Sequence, residues 1–209
     1  MTKIQLTCFA QSGNAYKAAL MLNLCGVEWE PKFVDFFNGG SRTDEYLELN
    51  TMGEVPVLID GEKTISQSGV ILKYLSTKYN KFGAKTEDDE LEILRWLLWD
   101  NHKLTNNIAT LRYLLQFAKT GETEVTKFLR ARIKPCLKLL NNHLESSAFV
   151  IGDEPTIADI SMCGYLFWPE EFGISWEDYP AIASWLDRIK TLDGWVHPYE
   201  LMPGHPLSK

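Results

Sequence analysis

The amino-acid sequence predicts an α/β unit of order β-α-β-α-β-β-α followed by an all-α unit. Three observations lead to this fold class. Strand and helix patterns alternate over residues 1–80, a polar stretch at 81–88 contains glycine, and beyond it apolar residues recur at helical spacing only. Six of the 7 tryptophans also lie in that last part. We therefore predict a first domain at 1–80, a linker at 81–88 and an all-helical domain at 89–209.

Two different periodicities indicate the first strand and the first helix. Apolar and polar residues alternate over residues 4–8, which is typical of a half-buried strand. A polar turn at 10–14 follows. Residues 15–25 are rich in Ala, Leu and Met and predict a helix, which Gly26 ends.

The remaining elements of this unit are a second strand, a short helix, a hairpin and a closing helix. Pro31 places the second strand at a sheet edge, because proline cannot donate a hydrogen bond to a neighbouring strand. Asp60-Gly61 predicts a tight turn, because glycine accepts the positive φ that such a turn needs. The predicted bounds are 29–36 for the strand, 44–49 for the short helix, 55–59 and 63–66 for the hairpin, and 68–79 for the last helix.

Amphipathic helices are predicted throughout the second unit. Apolar residues recur at helical spacing over 91–117 and 125–144, where Pro135 predicts a kink or a boundary. Thr156, with Asp159 three residues later, predicts a capping box at the start of an apolar helix. We therefore expect Asp159 to be structural rather than catalytic.

Composition and charge exclude several classes of function. The formal charge is −7 and the sequence pI is about 5.2, which argues against nucleic acid or an anionic membrane as the main partner. The longest apolar run, at 162–168, is far shorter than the roughly 20 residues of a membrane helix, and we see no signal-peptide core. The 4 cysteines and 4 histidines stand at no metal-ligand spacing. We therefore expect reduced thiols, no metal and a cytoplasmic location.

Three polar segments stand where chemistry is expected. Ser12 and Asn14 lie between the first strand and the first helix, next to free helix amides that favour an anion or a thiolate. Gln67 and Ser68 begin the last helix of the unit and have the groups to bind a carboxylate. Helix capping alone is the competing interpretation for each pair. Pro56 leads directly into a strand that should be central, and such local violations mark functional or strained sites.

Four motifs together resemble the glutathione transferase family, and the resemblance covers essentially the whole chain. The motifs are Ser-Gly-Asn-Ala-Tyr-Lys at 12–17, Asn-Thr-Met-Gly-Glu-Val-Pro-Val-Leu at 50–58, Gln-Ser-Gly-Val-Ile-Leu-Lys-Tyr-Leu at 67–75, and Gly-Asp at 152–153 followed by Thr-Ile-Ala-Asp-Ile at 156–160. The resemblance implies a thioredoxin-like N-terminal domain, an all-helical C-terminal domain and a homodimer. The S-x-N arrangement looks most like soluble bacterial-type members.

The likeness implies roles for individual residues in binding glutathione. Ser12 would donate its hydroxyl to the glutathione sulfur, with Asn14 assisting. Val55 would pair its backbone with the cysteinyl part of the tripeptide, after a cis peptide bond to Pro56. These four residues would make up the side of the site where the thiol lies.

The other end of glutathione would be held by a second group of residues. Gln67 and Ser68 would bind the γ-glutamyl end, and Asp100 would reach it across the dimer, as an acidic residue does in some members. Two departures from the family pattern stand nearby. Glu54 replaces the Lys or Gln of many members and would repel a glycyl carboxylate, and Met52 replaces a common proline.

The electrophile is expected to meet the first helix of the second domain. Trp99, His102, Asn106 and Tyr113 fall on one helix whose inner face would line an apolar, aromatic pocket. The competing interpretation makes Trp99 and Tyr113 core residues and His102 a solvated side chain.

The predicted function is therefore attack of a bound glutathione thiolate on an electrophilic small molecule, in a detoxification role, with glutathione as co-substrate. One alternative is a glutathione-dependent disulfide reductase, which would use either Cys8 or a second glutathione. Cys8 stands where several classes of the family have a tyrosine. The other alternative is a non-catalytic binding or scaffold protein, for which Glu54 is the main argument.

Overall fold

A computed structural model describes residues 3–204, and in it the chain forms two compact units. The first unit contains residues up to Lys81 together with the segment from Leu192 onward. The second unit is Phe82–Thr191. Each unit has its own core, and each is described by itself below.

The first unit is built on a four-stranded sheet of order β2-β1-β3-β4. Strand β1 pairs parallel with β2 and antiparallel with β3, and β3 pairs antiparallel with β4. The elements are β1 (Ile4–Cys8), α1 (Gly13–Leu24), β2 (Trp29–Phe33), α2 (Asp44–Leu49), β3 (Val57–Asp60), β4 (Lys63–Ser66) and α3 (Ser68–Tyr79). This order confirms the predicted thioredoxin-like pattern β-α-β-α-β-β-α.

Burial explains which strand is central and which lies at the edge. Leu6 and Cys8 on β1 are fully buried, and β1 has a neighbour on each side. Pro31 lies on β2, which is an edge strand as predicted, so its missing N–H leaves no gap in the sheet. Helix α1 packs against β1 and α3. Ala15, Ala18 and Ala19 on this helix are completely buried, and their small methyl side chains let the helix lie close to its neighbours.

The hairpin turn lies one residue later than the sequence predicted. Asp60 pairs with Lys63 in the sheet, so the turn consists of Gly61 and Glu62, with Gly61 at φ 62°. Asp60 remains in the strand because its carboxylate accepts hydrogen bonds from Tyr74 Oη and Lys78 Nζ on α3. The glycine still supplies the positive φ, and only its place in the turn differs.

The C-terminal segment differs from the predicted domain boundary, because residues 192–204 belong to the first unit. Within this segment, helix α9 (Pro198–Leu201) packs on α1. The Tyr16 hydroxyl on α1 donates to the Val196 carbonyl at 2.9 Å. The helical domain predicted at 89–209 therefore ends, as a compact unit, at Thr191.

The second unit is all-α over the residues that the structure describes, as predicted. A π-helical turn at Asp100–Leu104 joins the first two helices, and a second π-helical turn, Tyr113–Phe117, follows them. Pro135 lies inside a continuous helix, so the predicted boundary there is absent. The helices are α4 (Glu87–Trp99), α5 (Thr105–Arg112), α6 (Glu124–Leu144), α7 (Ile157–Met162) and α8 (Pro180–Lys190).

Asp159 connects three parts of the second unit. The predicted capping box is present, with Asp159 Oδ2 accepting the Thr156 N–H at 2.8 Å. Its Oδ1 accepts the Val150 N–H at 2.8 Å and the Trp185 indole N–H at 2.9 Å. The carboxylate is fully buried, so each of these donors depends on it.

We expect Asp159→Ala to destabilise the protein far more than Asp89→Ala does. Asp89 completes a capping box at α4 that is open to solvent, so its loss should cost about 1 kcal/mol. Loss of Asp159 leaves several buried donors unpaired, which should cost on the order of 3 kcal/mol or more. Urea unfolding followed by tryptophan fluorescence measures both, and equal effects would contradict the role of Asp159 as a buried connector.

Candidate functional site

Three segments of the first unit meet at one end of the sheet. Leu6 pairs with Leu58 in antiparallel register, so the end of β1 lies beside the start of β3. Val57 pairs with Ser66, so the end of β4 lies there too. The segments that follow or precede these strand ends contain Ser12, Val55 and Gln67, which the sequence had singled out separately.

Ser12 both caps α1 and keeps a proton to donate. Its Oγ accepts the Ala15 N–H at 3.1 Å, and its own N–H donates to the Phe9 carbonyl at 3.0 Å. The side chain is almost buried, with 6% exposed. Between residues 3 and 204 the Ser12 hydroxyl donates to no partner. The two interpretations of Ser12, cap and donor, are therefore compatible.

Asn14 lies in the first turn of α1, close to Ser12 in the chain. Its Oδ1 is buried and has no hydrogen-bond partner among the described residues. An orphaned buried oxygen is rare in folded proteins and calls for a physical explanation. A ligand that brings a polar atom to this turn would supply the missing partner.

Val55 presents free backbone groups at the start of β3. The peptide bond to Pro56 is cis, as the resemblance implied. Neither the N–H nor the carbonyl of Val55 is hydrogen-bonded to any residue in the described part of the chain. Because Val55 itself is only 9% exposed, a strand-like ligand that paired with it would lie against a well-packed surface.

A directed chain of hydrogen bonds fixes the backbone on both sides of Val55. The Val57 N–H donates to Thr7 Oγ1 at 2.7 Å, and Tyr46 Oη donates to the Glu54 carbonyl at 2.9 Å. Thr7 Oγ1 and Tyr46 Oη are 3.1 Å apart. Since the Tyr46 proton goes to Glu54, the Thr7 hydroxyl donates to Tyr46. Bonds that run in one direction polarise and strengthen one another.

Sequence reasoning missed this chain of hydrogen bonds. Thr7 and Tyr46 are 39 residues apart, and Thr7 and Val57 are 50 apart. Asn50 adds a second support, since its Nδ2 donates to the same Glu54 carbonyl at 2.9 Å. Burial raises the pKa of Tyr46 and the hydrogen bond from Thr7 lowers it, with burial the larger effect. Tyr46 therefore stays protonated and keeps its proton for Glu54.

Gln67 adopts a backbone conformation that is unusual for a residue with a side chain. Its φ is 69° at the residue before α3, in the left-handed region, and such strain often marks a functional position. Its Nε2 donates to Glu54 Oε2 at 2.8 Å and lies 3.1 Å from Met52 Sδ. The side-chain amide protons face Glu54 and Met52. The side-chain oxygen, Gln67 Oε1, is therefore the end that would accept from an ammonium group. Ser68 follows as the first residue of α3 and is 6% exposed.

Arg42 is a further residue that the sequence did not single out. Its Nη1 lies 3.4 Å from the Met52 carbonyl, so the guanidinium stands over the loop that precedes Val55. Gly53, at φ 62°, makes room for it, because a Cβ at that position would lie 2.5 Å from Arg42 Nη1. The residues at 41–42 carried no motif, and only the fold brings this cation to the loop at Met52 and Gly53.

Asp100 is buried inside the second unit rather than presented at its surface. Its exposed fraction is 0%, and its carboxylate accepts from Thr105 Oγ1 at 2.7 Å and Ser161 Oγ at 2.6 Å. The carboxylate thus stabilises the π-helical turn after α4 and attaches it to α7. In this arrangement Asp100 does not extend toward a ligand on another chain, as the resemblance had implied.

The residues predicted to meet the electrophile differ in exposure. Trp99 is half-buried and packs edge-on against Trp96, with ring centroids 5.4 Å apart. His102 and Asn106 are exposed, and Tyr113 is 47% exposed, so Tyr113 is not a core residue. All four belong to the second unit, and only Trp99 combines burial with an apolar surface.

Cys8 is buried and protonated, and both properties disfavour its use as a nucleophilic thiolate. It is completely buried on β1, and burial raises its pKa to about 12, against a smaller opposing effect from a backbone hydrogen bond of Lys32. At pH 7 about one molecule in 100,000 would carry a Cys8 thiolate. Burial also raises the pKa of Cys25 and Cys136, the two cysteines that are partly exposed.

Comparison with known proteins identifies the family. Residues 4–77 match the model of the glutathione S-transferase N-terminal domain, and residues 104–193 match that of the C-terminal domain. Glutathione S-transferase 1 of Dianthus caryophyllus is 30% identical over 189 residues, covering 87% of this chain and 85% of that protein. The chain therefore belongs to the glutathione S-transferase family.

Solved structures agree with this assignment. A possible glutathione S-transferase from Rhodopseudomonas palustris has a TM-score of 0.89 and 28% identity, covering 95% of this chain and 98% of that one. A glutathione S-transferase from Pseudomonas fluorescens has a TM-score of 0.88 and 26% identity, covering 94% and 99%. A transferase from Burkholderia graminis, with two glutathione molecules bound per subunit, shares the fold at 21% identity and a TM-score of 0.84, covering 99% of this chain and 90% of that one.

No helix within residues 3–204 is long and apolar enough to cross a membrane. No group of three or more His, Cys, Asp or Glu side chains in that range is arranged to bind a metal ion.

We expect Cys8 and Cys163 to resist alkylation in the folded protein. Both are fully buried, whereas Cys25 and Cys136 are partly exposed and serve as internal controls. Iodoacetamide at pH 7 should therefore modify only Cys25 and Cys136, and all four cysteines after unfolding in urea. Mass spectrometry of the peptides reads each site. Rapid labelling of Cys8 in the native protein would contradict its raised pKa.

Proposed function

We propose that the protein is a glutathione transferase that activates the thiol of bound glutathione for attack on an electrophilic carbon. The observation that carries the proposal is the Ser12 hydroxyl, whose proton is available at the N-terminus of α1, at the sheet end where Val55 offers free backbone groups. In the reaction the sulfur forms a bond to carbon, and the leaving group departs with the electron pair of the bond it breaks.

The energy available at Ser12 is sufficient for this task. A thiol with the usual pKa of about 8.5 is only about 3% ionised at pH 7, and a pKa of about 6.5 raises this to about three quarters. That shift requires about 2.7 kcal/mol. A hydrogen bond to a charged acceptor supplies about 1.5–3 kcal/mol, and a helix N-terminus adds about 0.3–1 kcal/mol. Ser12 and the end of α1 together reach this value.

Asn14 can serve both protonation states of the thiol. Its buried Oδ1 has no partner among the described residues and would accept from an S–H group. Rotation of the amide about its last bond places Nδ2 at the same point, where it would donate to a thiolate. One side chain therefore gives the ligand a partner before and after it loses its proton.

The rest of the tripeptide would lie along the end of the sheet. Val55 would exchange two backbone hydrogen bonds with the cysteinyl residue, and Ser68, with its amide and hydroxyl, would hold the γ-glutamyl carboxylate. The side-chain oxygen of Gln67, Oε1, would accept from the γ-glutamyl ammonium, since the side-chain amide protons are directed at Glu54 and Met52. Arg42 is the cation that would meet the glycyl carboxylate and offset Glu54.

The residues that we propose for the second substrate all belong to the second unit. We include Trp99, His102, Asn106 and Tyr113 as its contacts, with the half-buried Trp99 as the main one. Asp100 takes no part, because Thr105 and Ser161 occupy its carboxylate.

Two features support the cellular setting and the assembly that we propose. All 4 cysteines are free, which is usual in a reducing compartment such as the cytoplasm. Leu91, Leu94 and Leu98 are all at least half exposed and recur along α4, which favours a second copy of the chain as a partner.

Disulfide reduction is the second candidate function. The fully buried Cys8, with its raised pKa, disfavours a mixed disulfide with the enzyme. The version with two glutathiones remains, and it is the state in which the Burkholderia graminis protein was crystallised. A binding stoichiometry of two glutathiones per chain, with turnover of a disulfide, would favour reduction over conjugation.

We expect Ser12→Ala to raise the pKa of bound glutathione by about one to two units, because one charge-assisted hydrogen bond is lost. Thiolate absorbance over pH 5–9 gives the pKa, and calorimetry on the same samples gives the affinity. Ser12→Gly is the matched control for capping, since glycine caps a helix almost as well as serine but has no hydroxyl.

The two variants separate the cap from the donor. If the donor matters, both raise the thiol pKa to the same extent. An effect confined to Ser12→Ala would assign the loss to capping instead. No binding of glutathione by the wild-type protein at millimolar concentration would refute both enzymatic functions and leave a scaffold.

We also expect Tyr46→Phe to weaken glutathione binding about fivefold, which corresponds to about 1 kcal/mol. The substitution removes the donor to the Glu54 carbonyl and so loosens the backbone before Val55. Tyr74→Phe is the control, because it removes a hydroxyl bonded to Asp60, away from Val55. Equal dissociation constants for the two variants would argue against the hydrogen-bond chain as a support of the binding edge.

A further inference from the structure

The last described residues of the chain form a strap, defined here as residues 192–204, that lies along the first unit. It contacts the unit on α1 through Val196, whose carbonyl accepts the Tyr16 hydroxyl at 2.9 Å. Tyr16 is completely buried, and its hydroxyl reaches a strap residue that is partly exposed. The strap is therefore a fixed part of the first unit, although the two segments are 180 residues apart in sequence.

Two of its contacts fall on the residues immediately before Ser12. The Ala10 N–H donates to the Pro203 carbonyl at 2.8 Å, and Gln11 Nε2 donates to the Gly204 carbonyl at 2.9 Å. Ala10 is 0% exposed and Gln11 is 4% exposed. A buried donor that loses its acceptor costs about 1–3 kcal/mol, so the turn has a strong preference for the strap.

Glycines fit the strap closely to the unit at two points. Gly204, at φ 82°, lies against the Phe33 ring, where a Cβ would come within 2.2 Å of a ring carbon. Gly194, at φ 91°, lies against the Asn23 carbonyl, where a Cβ would come within 2.7 Å. Neither the conformation nor the space admits a side chain. The path of the strap is thereby fixed at both ends.

We propose that the strap, through Gln11, positions the Ser12 hydroxyl for its contact with the glutathione sulfur. Helix α1 fixes Ser12 from one side by the Ala15 N–H, and the strap fixes the turn that enters Ser12 from the other side. Gln11 is a positioning residue, since it acts on the sulfur only through Ser12. This inference rests on the proposed function.

The consequence is a link between the strap and the ionisation of bound glutathione. If the turn is released, the Ser12 hydroxyl spends less time aimed at the sulfur, and the hydrogen bond to the thiolate weakens. The pKa of the bound thiol then rises toward its value in water. Contacts with the γ-glutamyl and glycyl ends lie elsewhere on the sheet and should change little.

The test compares substitutions in the full protein with two C-terminal truncations. Gln11→Met keeps the size of the side chain and removes the donor to Gly204. Gln5→Met is the control, because it removes a glutamine donor on β1 that bonds Glu30 on β2. A chain ending at Met202 lacks both strap carbonyls, and a chain ending at Pro206 keeps them. Thiolate absorbance over pH 5–9 and calorimetry with glutathione are measured for each.

We expect Gln11→Met and the chain ending at Met202 to raise the thiol pKa by about 0.5–1 unit, which is a three- to tenfold loss of thiolate at low pH. Gln5→Met and the chain ending at Pro206 should keep the wild-type pKa. The dissociation constant should change less than the thiolate fraction, which a general loss of structure would not produce. Gln11→Asn, whose shorter amide still carries a donor, should recover part of the shift.

The outcomes separate this inference from the proposed function. A wild-type thiolate signal that survives both Gln11→Met and removal of the strap carbonyls would overturn the positioning role and leave the transferase proposal intact. The absence of any thiolate signal in wild type would overturn the proposed function, and with it the reaction for which Ser12 is positioned. Lower stability with an unchanged pKa would also overturn the positioning role, because it would show a strap that is structural only.

Discussion

The candidate site depends on a single constraint, which is that Val55 leaves its own backbone groups unpaired while the backbone on either side of it is held in place. Val55 lies beyond the ladder between β3 and its neighbours, and its N–H and carbonyl bond to nothing between residues 3 and 204. The neighbouring backbone is therefore fixed by side chains, from Thr7 through Tyr46 to Glu54. The Thr7 hydroxyl is the link, because it joins the central strand to the loop, and a valine there would have the same shape but neither donor nor acceptor.

The order of elements was predictable from the sequence because local chemistry encodes it. Alternating residues, the edge proline Pro31 and the capping pair ending in Asp159 each act within a few residues, and the structure places all of them as expected. Ser12, Pro56 and Gln67 were likewise recognisable from their own segments. Thr7 was not, because its partners are 39 and 50 residues away in the chain. Arg42 was not, because no motif marks it and only the fold brings it over the loop at Met52. The strap lay further still from prediction, since Gln11 and Gly204 are 193 residues apart. Asp100 was misjudged because a π-helical turn, invisible in the spacing of apolar residues, directs it inward.

Charge at the loop that precedes Val55 is more balanced than the sequence suggested. Glu54 alone would repel the carboxylate of a tripeptide, and that was the best argument for an inactive site. In the structure its carboxylate accepts from Gln67, while Arg42 lies over the same loop. A hydrogen bond to a neutral amide does not cancel a charge, whereas the Arg42 guanidinium would offer a carboxylate ligand an opposite charge. The loop before Val55 therefore carries Glu54 and has the Arg42 guanidinium against the Met52 carbonyl, so a ligand at this loop would meet charges of both signs.

The turn that contains Ser12 shows how the fold prepares a donor in advance. A free hydroxyl rotates and exchanges its proton among many partners, so aligning it during a reaction has a cost. Here the Ala15 N–H occupies a lone pair of Ser12 Oγ, which restricts where the remaining proton can point. Helix α1 thus restricts the direction in which the Ser12 hydroxyl can donate. The residues before Ser12 hold the turn in which its oxygen lies. Under the proposed function, preorganisation of this kind would stabilise a thiolate without any reorganisation at the moment of ionisation, so a weak neutral donor such as serine would be sufficient at this position.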